Sequence, residues 1–325
     1  MNAIETHVLE KTFRGKRALR SLNLTVGRGE IYGFIGKNGS GKSTTMKIVA
    51  GLMPATAGEV NVLGASLAPC EAHPAVGTLI ENPGIYPSLS ARDNLMVKAL
   101  TLGIVDAKQT CQELLHAVGL ADTGRQKAKR FSMGMKQRLG IALALMGNPS
   151  VLMLDEPLNG LDPDAARAIR TLIVRLNRER GVTVLISSHV LDQLERMCTC
   201  YGIIRDGHMV RELTAAAVEE ECASYLSLSC TEPERALATL TERVRGGCIQ
   251  MMPDNTLRID GDVDTARVGE VLMSEGIALT DLHRTEGDRE AFFVKLMGGH
   301  DVGDTGTTSG NAASRTAGRF SRKGR

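Results

Sequence analysis

Nine consecutive residues, Gly36-Lys37-Asn38-Gly39-Ser40-Gly41-Lys42-Ser43-Thr44, constrain this chain more than any other stretch. They fit the pattern G-x-x-x-x-G-K-[ST]. A polyphosphate needs backbone N–H groups aimed inward, and glycine lets a chain curl that tightly. Lys42 supplies a cation for the β- and γ-phosphates, and Ser43 a hydroxyl for Mg²⁺. The run Ile31-Tyr32-Gly33-Phe34-Ile35 before the loop reads as a buried strand. Residues 43–49 after it read as a helix whose N-terminus holds the anion. Strand, loop and helix in that order are the context the pattern requires, and they imply a nucleoside triphosphate, ATP or GTP.

With 325 residues there is room for one large domain or a domain with an appendage. A net charge of +2 argues neither for nor against nucleic acid. No window approaches the roughly 18 uninterrupted apolar residues of a membrane span. Met1 to His7 lacks the basic and apolar regions of a signal peptide. The expected location is therefore the cytosol, unless a partner holds the chain at a membrane. The seven cysteines are scattered without paired C-x-x-C spacing, which reads as reduced thiols.

Along the chain, residues 8–13 read as an edge strand and 18–26 as a second, alternating strand. Ser90-Ala91-Arg92-Asp93 has the form of a capping box ahead of Leu95, Met96 and Leu100. Residues 106–118 are amphipathic, and a further helix ends near Gly147. Val151-Leu152-Met153-Leu154 is a continuous apolar run, the mark of a central parallel strand. Asp162 caps a helix with Pro163 at its first position, and 182–186 is another buried strand. After His189 a helix is expected to about Cys198, then a hairpin through Asp206-Gly207. Beyond 224 weaker signals alternate. Strands are expected at 225–228, 257–259 and 278–282, and helices at 232–244, 263–275 and 286–297. That alternation predicts a small α+β accessory domain over 224–297. Residues 298–325 read as a disordered basic tail.

The apolar run at 151–154 ends in Asp155-Glu156-Pro157. Two carboxylates at the carboxyl end of a buried strand, near a phosphate loop, invite a metal. Successive side chains on a strand point opposite ways, so the two acids have different tasks. Asp155 is assigned to Mg²⁺ and Glu156 to the attacking water as general base. The plainer reading of such a pair is an acidic turn at a strand end. Ser132-Met133-Gly134-Met135, taken alone, is only a helix cap. Its place between the phosphate loop and the carboxylate strand gives it more weight. In that order and spacing, the chain resembles the ATP-binding subunits of ABC transporters over about residues 4–220.

The resemblance implies specific roles. Ser132, Met133, Gly134 and Met135 look like the family's signature, usually Ser-Gly-Gly-Gln, with methionine here at the second and fourth positions. They are expected to reach the ATP of a partner subunit. Gly160-Leu161-Asp162 resembles the D-loop, which crosses to the second subunit. His189 resembles the switch histidine at the γ-phosphate, and Phe13 the aromatic residue that stacks on adenine. Glu81 stands where the family has glutamine near metal, water and the membrane partner. The context Glu81-Asn82-Pro83-Gly84 resembles the ATPases of bacitracin and lantibiotic export and immunity systems.

The implied fold is an α/β P-loop NTPase core with an antiparallel β edge and an inserted helical subdomain. The ATP-binding domain would span 4–223, with the helical subdomain at about 85–147. The implied activity is ATP hydrolysis with Mg²⁺, powering a separate transmembrane permease that exports a peptide antibiotic, drug or lipid-like molecule. The subunit would pair as a homodimer or heterodimer, held by the permease at the inner face of the cell membrane, with no nucleic acid partner. One alternative is a soluble ABC-type ATPase acting on ribosomes or DNA. Such proteins usually carry two cassettes or long coiled coils, and this sequence shows one cassette and no sustained heptads. A P-loop kinase would leave Ser132, Gly134 and His189 unexplained.

Overall fold

Two long strands, β1 (Asn2–Phe13) and β2 (Lys16–Gly27), pair antiparallel around Arg14-Gly15. In β2, Leu22, Leu24 and Val26 are buried while Asn23 and Thr25 are exposed, the period of two that marks a half-buried strand. β3 (Ile31–Ile35) passes through the phosphate loop into α1 (Lys42–Val49). β4 (Ala57–Val62) and β5 (Ala65–Ser66) complete a four-stranded sheet in the order β2-β1-β4-β5. The strand expected at an edge is thus an interior one. β1 begins earlier than its strongest alternation, and Ile4 pairs with Val26 on one side and Val62 on the other. This computed structural model describes residues 1–298 apart from 245, 262 and 286, so the tail from 299 onward lies outside the described residues.

β6 (Val76–Leu79) precedes three helices, α2 (Ala91–Thr101), α3 (Ala107–Ala117) and α4 (Met133–Ala144). The capping box forms as read. Asp93 N donates to Ser90 Oγ at 3.1 Å and Ser90 N donates to Asp93 Oδ2 at 3.3 Å. Then come β7 (Val151–Asp155), α5 (Pro163–Arg180), β8 (Thr183–Ser188), β9 (Cys200–Arg205), β10 (His208–Thr214) and α6 (Ala215–Glu221). The second sheet has the order β10-β9-β3-β8-β7-β6, with β10 alone antiparallel. Asp206 and Gly207 turn the β9–β10 hairpin, both at positive φ as a tight two-residue turn demands.

Alternation along these central strands sorts two cores. Val151 and Met153 pack with Tyr32, Phe34 and Leu185 on the side of the first sheet. Leu152 and Leu154 pack with Ile35, Val184 and Ile186 on the side of the helices. A strand buried on both faces is apolar throughout, which is why 151–154 is a continuous run. Because β3, β6, β7 and β8 run parallel, their carboxyl ends share one rim. That rim carries the phosphate loop, the turn at Glu81, Glu156 and His189.

The segment after His189 is not the expected helix; residues 192–197 form successive turns. Two of its carbonyls serve side chains instead of a helical ladder, since Asp192 O accepts from Arg170 and Glu195 O from Tyr201. Beyond α6 lie β11 (Tyr225–Cys230), α7 (Pro233–Arg243), β12 (Cys248–Met251), β13 (Leu257–Asp260), α8 (Thr265–Ser274), β14 (Leu279–Thr285) and α9 (Arg289–Leu296). The strands form an antiparallel sheet in the order β12-β13-β11-β14, a ferredoxin-like βαββαβ arrangement. β12 is absent from the sequence reading.

Candidate functional site

The phosphate loop is shaped by what it touches. A Cβ at Gly36 would lie 2.5 Å from Ile204 O and 2.6 Å from Ser40 Oγ. Gly41 holds φ +116°, and a Cβ there would meet Leu19 Cδ2 at 2.7 Å. The β9–β10 turn braces the outside, with Gly207 N donating to Ser40 O at 2.9 Å. Lys37, Asn38 and Gly39 form an exposed crest, and Ser43 and Thr44 are half-buried. Lys42 is 5% exposed and donates from Nζ to Gly36 O at 2.6 Å. Burial pushes its ammonium below the ordinary lysine value, opposed by the carboxylates of Glu156 and Asp155. Ser40 Oγ is buried and has no partner among the described residues. An orphan hydroxyl, a desolvated ammonium and a curled backbone at a helix start all gain a partner from polyphosphate oxygens.

The carboxylates stand beside the loop. The β7–β8 register places Asp155 opposite Ser187. Ser187 Oγ donates to Asp155 Oδ1 at 2.5 Å and accepts from Glu156 N at 2.9 Å, so one hydroxyl fixes both acids. Asp155 is buried. Glu156 has φ +51°, a left-handed conformation that costs a non-glycine residue on the order of 1–3 kcal/mol. Its Oε2 lies 2.5 Å from His189 Nδ1 and its Oε1 lies 3.5 Å from Lys42 Nζ. A carboxylate only accepts, so Nδ1 carries a proton and donates it to Glu156 Oε2.

Lys42, Asp155, Glu156 and His189 therefore come together as the sequence suggested, joined by Ser187. The sequence pattern assigns Ser187 no role; its one signal is a hydroxyl near the end of the buried strand beside the carboxylate strand. No group of three or more His, Cys, Asp or Glu among the described residues could hold a metal by itself. Mg²⁺ bound through a hydroxyl, one carboxylate and phosphate oxygens needs no such group, and Ser43 with Asp155 fits that donor set.

The other expected residues form separate groups. Ser132 caps α4, accepting from Met135 N at 3.2 Å. Gly134 packs on α5, where a Cβ would lie 2.9 Å from Ala165 Cβ and 3.9 Å from Leu161 Cδ2. Met133 is exposed and borders Gly160, so the signature and the D-loop touch each other within the chain. Asp162 accepts from Ala165 N at 2.9 Å as the cap of α5. Phe13 is exposed at the end of β1, with Lys11 Nζ 5.1 Å from its ring centroid. Glu81 lies just past the end of β6, on the rim that carries the phosphate loop. Its carboxylate is exposed and pairs with the half-buried Lys47 of α1. A long-range partner of that kind leaves no local sequence signal.

Residues 19–159 match the ABC transporter family. The bacitracin transport ATP-binding protein BcrA of Bacillus licheniformis is 34% identical over 303 residues, covering 92% of this chain and 99% of BcrA. The lantibiotic transport ATP-binding protein SrtF of Streptococcus pyogenes is 39% identical over 204 residues, covering 63% of this chain and 87% of SrtF. Among solved structures, the ATP-binding cassette MJ0796, dimeric in a post-hydrolysis state with ADP and Pi, aligns at a TM-score of 0.60 and 26% identity. That alignment covers 65% of this chain and 98% of the cassette. With the P-loop α/β core already described, these matches establish that the chain is an ATPase and belongs to the ATP-binding subunits of the ABC transporter family, similar to its bacitracin and lantibiotic members.

Proposed function

We propose that this chain hydrolyses Mg²⁺-ATP at a site completed by a second ATP-binding subunit, and so drives a separate membrane permease. The observation that carries the reading is the convergence of Lys42, Glu156 and His189 beside the phosphate loop. Lys42 and the loop amides hold the β- and γ-phosphates. Ser43 and Asp155 hold the Mg²⁺, whose charge offsets that of the phosphate oxygens. Glu156 takes the proton of the attacking water, and His189 fixes the direction of that carboxylate. Phe13 offers its open ring face to adenine. Ser132 and Gly134, at the start of α4, serve the phosphates of the partner's nucleotide, with Leu161 and Asp162 at the same seam. The site is then complete only when two cassettes close, which couples closure to ATP binding.

The domains of this proposal are the ATP-binding cassette, 4–223, and the accessory unit, 224–297. No helix among the described residues is long and apolar enough to cross a membrane, and the proposal gives the membrane path to the permease. The docking surface is the region around Glu81, Tyr86 and Asn94. Asn94 holds it, with Oδ1 accepting from Tyr86 N at 2.6 Å and Nδ2 donating to Tyr86 O at 3.1 Å. Leu52, Tyr86, Val97, Leu100 and Leu102 leave apolar surface exposed there, a feature of protein interaction sites. The substrate is proposed as a peptide antibiotic or related amphipathic molecule moved outward, in line with the names of BcrA and SrtF. The test is co-purification of the full chain from membranes. Recovery of a stoichiometric multispanning protein supports the reading, and recovery of ribosomal particles in its place overturns it.

A further inference from the structure

After α6 the chain leaves the cassette, builds the βαββαβ unit and returns. Exit and return touch, since a Cβ on Gly287 would lie 2.0 Å from Cys222 O. α9 follows that return, and its apolar face does not join the unit it closes. Phe293 and Met297 are buried with Leu191, Leu194, Met197 and Tyr201 of the cassette. The buried core of the βαββαβ unit is drawn from residues 226–277.

The contacts of α9 converge on the turns that follow His189. Phe293, 1% exposed, meets Tyr201 edge to face with ring centroids 5.5 Å apart. Tyr201 Oη donates to Glu195 O at 3.1 Å. Arg289 donates to Glu195 Oε1 at 2.6 Å. Glu195 N in turn donates to Leu191 O at 3.1 Å. At the other end of the segment, Ser188 Oγ accepts from Val190 N at 3.0 Å and lies 3.0 Å from Gln193 Oε1. The segment has no continuous helical ladder of its own, so side-chain contacts at its two ends set its path. His189 lies between those ends, with Nδ1 on Glu156.

We propose that Arg289 and Phe293 are positioning residues for the switch histidine. By anchoring Glu195 and the turns around it, α9 sets the His189–Glu156 contact and with it the rate of hydrolysis. The inference rests on the roles given above to Glu156 and His189. A short segment of turns opens at low cost unless it is tied down. A catalytic group moved by about 1 Å loses up to about a hundredfold in rate. The βαββαβ unit, which shows no chemistry of its own, thereby gains a physical route to the site through the helix that ends it.

The test is steady-state ATPase kinetics of the purified full chain carrying Arg289→Ala, Arg289→Lys, Phe293→Ala, His189→Ala, or His189→Ala together with Arg289→Ala. Coupling of this kind predicts that Arg289→Ala lowers kcat about three- to tenfold while KM for ATP stays near the parent value. Arg289→Lys recovers most of the loss, and Phe293→Ala falls in the same direction. In the His189→Ala background, Arg289→Ala changes kcat no further. Arg289 is a partly exposed surface pair, so its variant carries the test even where Phe293→Ala unfolds. Parent kcat in Arg289→Ala overturns the inference, as does an Arg289→Ala loss that multiplies with that of His189→Ala. Parent turnover in His189→Ala itself overturns the reading of the site on which the inference stands, which is a separate and recognisable result.

Discussion

The rim of the six-stranded sheet and the sheet of the βαββαβ unit obey the same patterning rules but handle polar groups in opposite ways. On the rim, Ser40, Lys42, Asp155, Ser187 and Ser188 are buried, and Glu156 and Glu81 hold left-handed backbone. Burying such groups costs free energy unless partners are aimed at them. In the βαββαβ unit no polar or charged residue among the described ones is buried. Its ion pairs, Arg243–Glu275 and Arg258–Asp260 among them, lie at the surface. One region accepts strain and desolvation to prepare a reaction, while the other keeps its polar groups at the surface and holds a shape.

That contrast can be broken by substitutions that damage one region and spare the other. The largest effect is expected from Lys42→Ala. Removing the buried cation should lower ATP turnover by about a hundredfold or more with the melting temperature nearly unchanged. Parent turnover, measured by phosphate release, would sever the loop from the chemistry. Ser187→Ala removes the hydroxyl that fixes Asp155 and Glu156, and about a tenfold loss of kcat is expected, as for outer-shell partners of metal ligands. Leu228→Ala acts the other way. It should cost the βαββαβ unit about 2–5 kcal/mol in chemical denaturation and leave turnover near the parent value. Lys47→Ala removes the half-buried partner of the exposed Glu81 and should shift stability by less than about 1 kcal/mol.

The rim was legible because its chemistry dictates residue types. Gly36 and Gly41 leave no room for a side chain, and Asp155 and Glu156 must end a buried strand; away from the rim, Asp162 and Ser90 carry their caps in plain view. The α/β core was legible because strands buried on both faces, such as 151–154, are apolar throughout. Other features depend on what a residue meets far along the chain. Residues 191–197 have helical spacing, but Arg170 and Tyr201 take carbonyls of that segment. β12 turns only Ile249 toward the core of its unit, too little to show a period of two. The apolar run of α9, Phe292 to Met297, marks no single face and gives no sign that the covering surface is the cassette and not the neighbouring helices α7 and α8.

The central claim is that Glu156 is the general base in a site closed by a second subunit. Glu156→Gln keeps the shape of the side chain and removes the base. Size-exclusion chromatography of that variant with Mg²⁺-ATP, with the bound nucleotide recovered from each peak, tests the claim in one run. The account predicts a dimer that retains intact ATP, with turnover lowered by about a hundredfold or more. A monomer that hydrolyses ATP at the parent rate would contradict it.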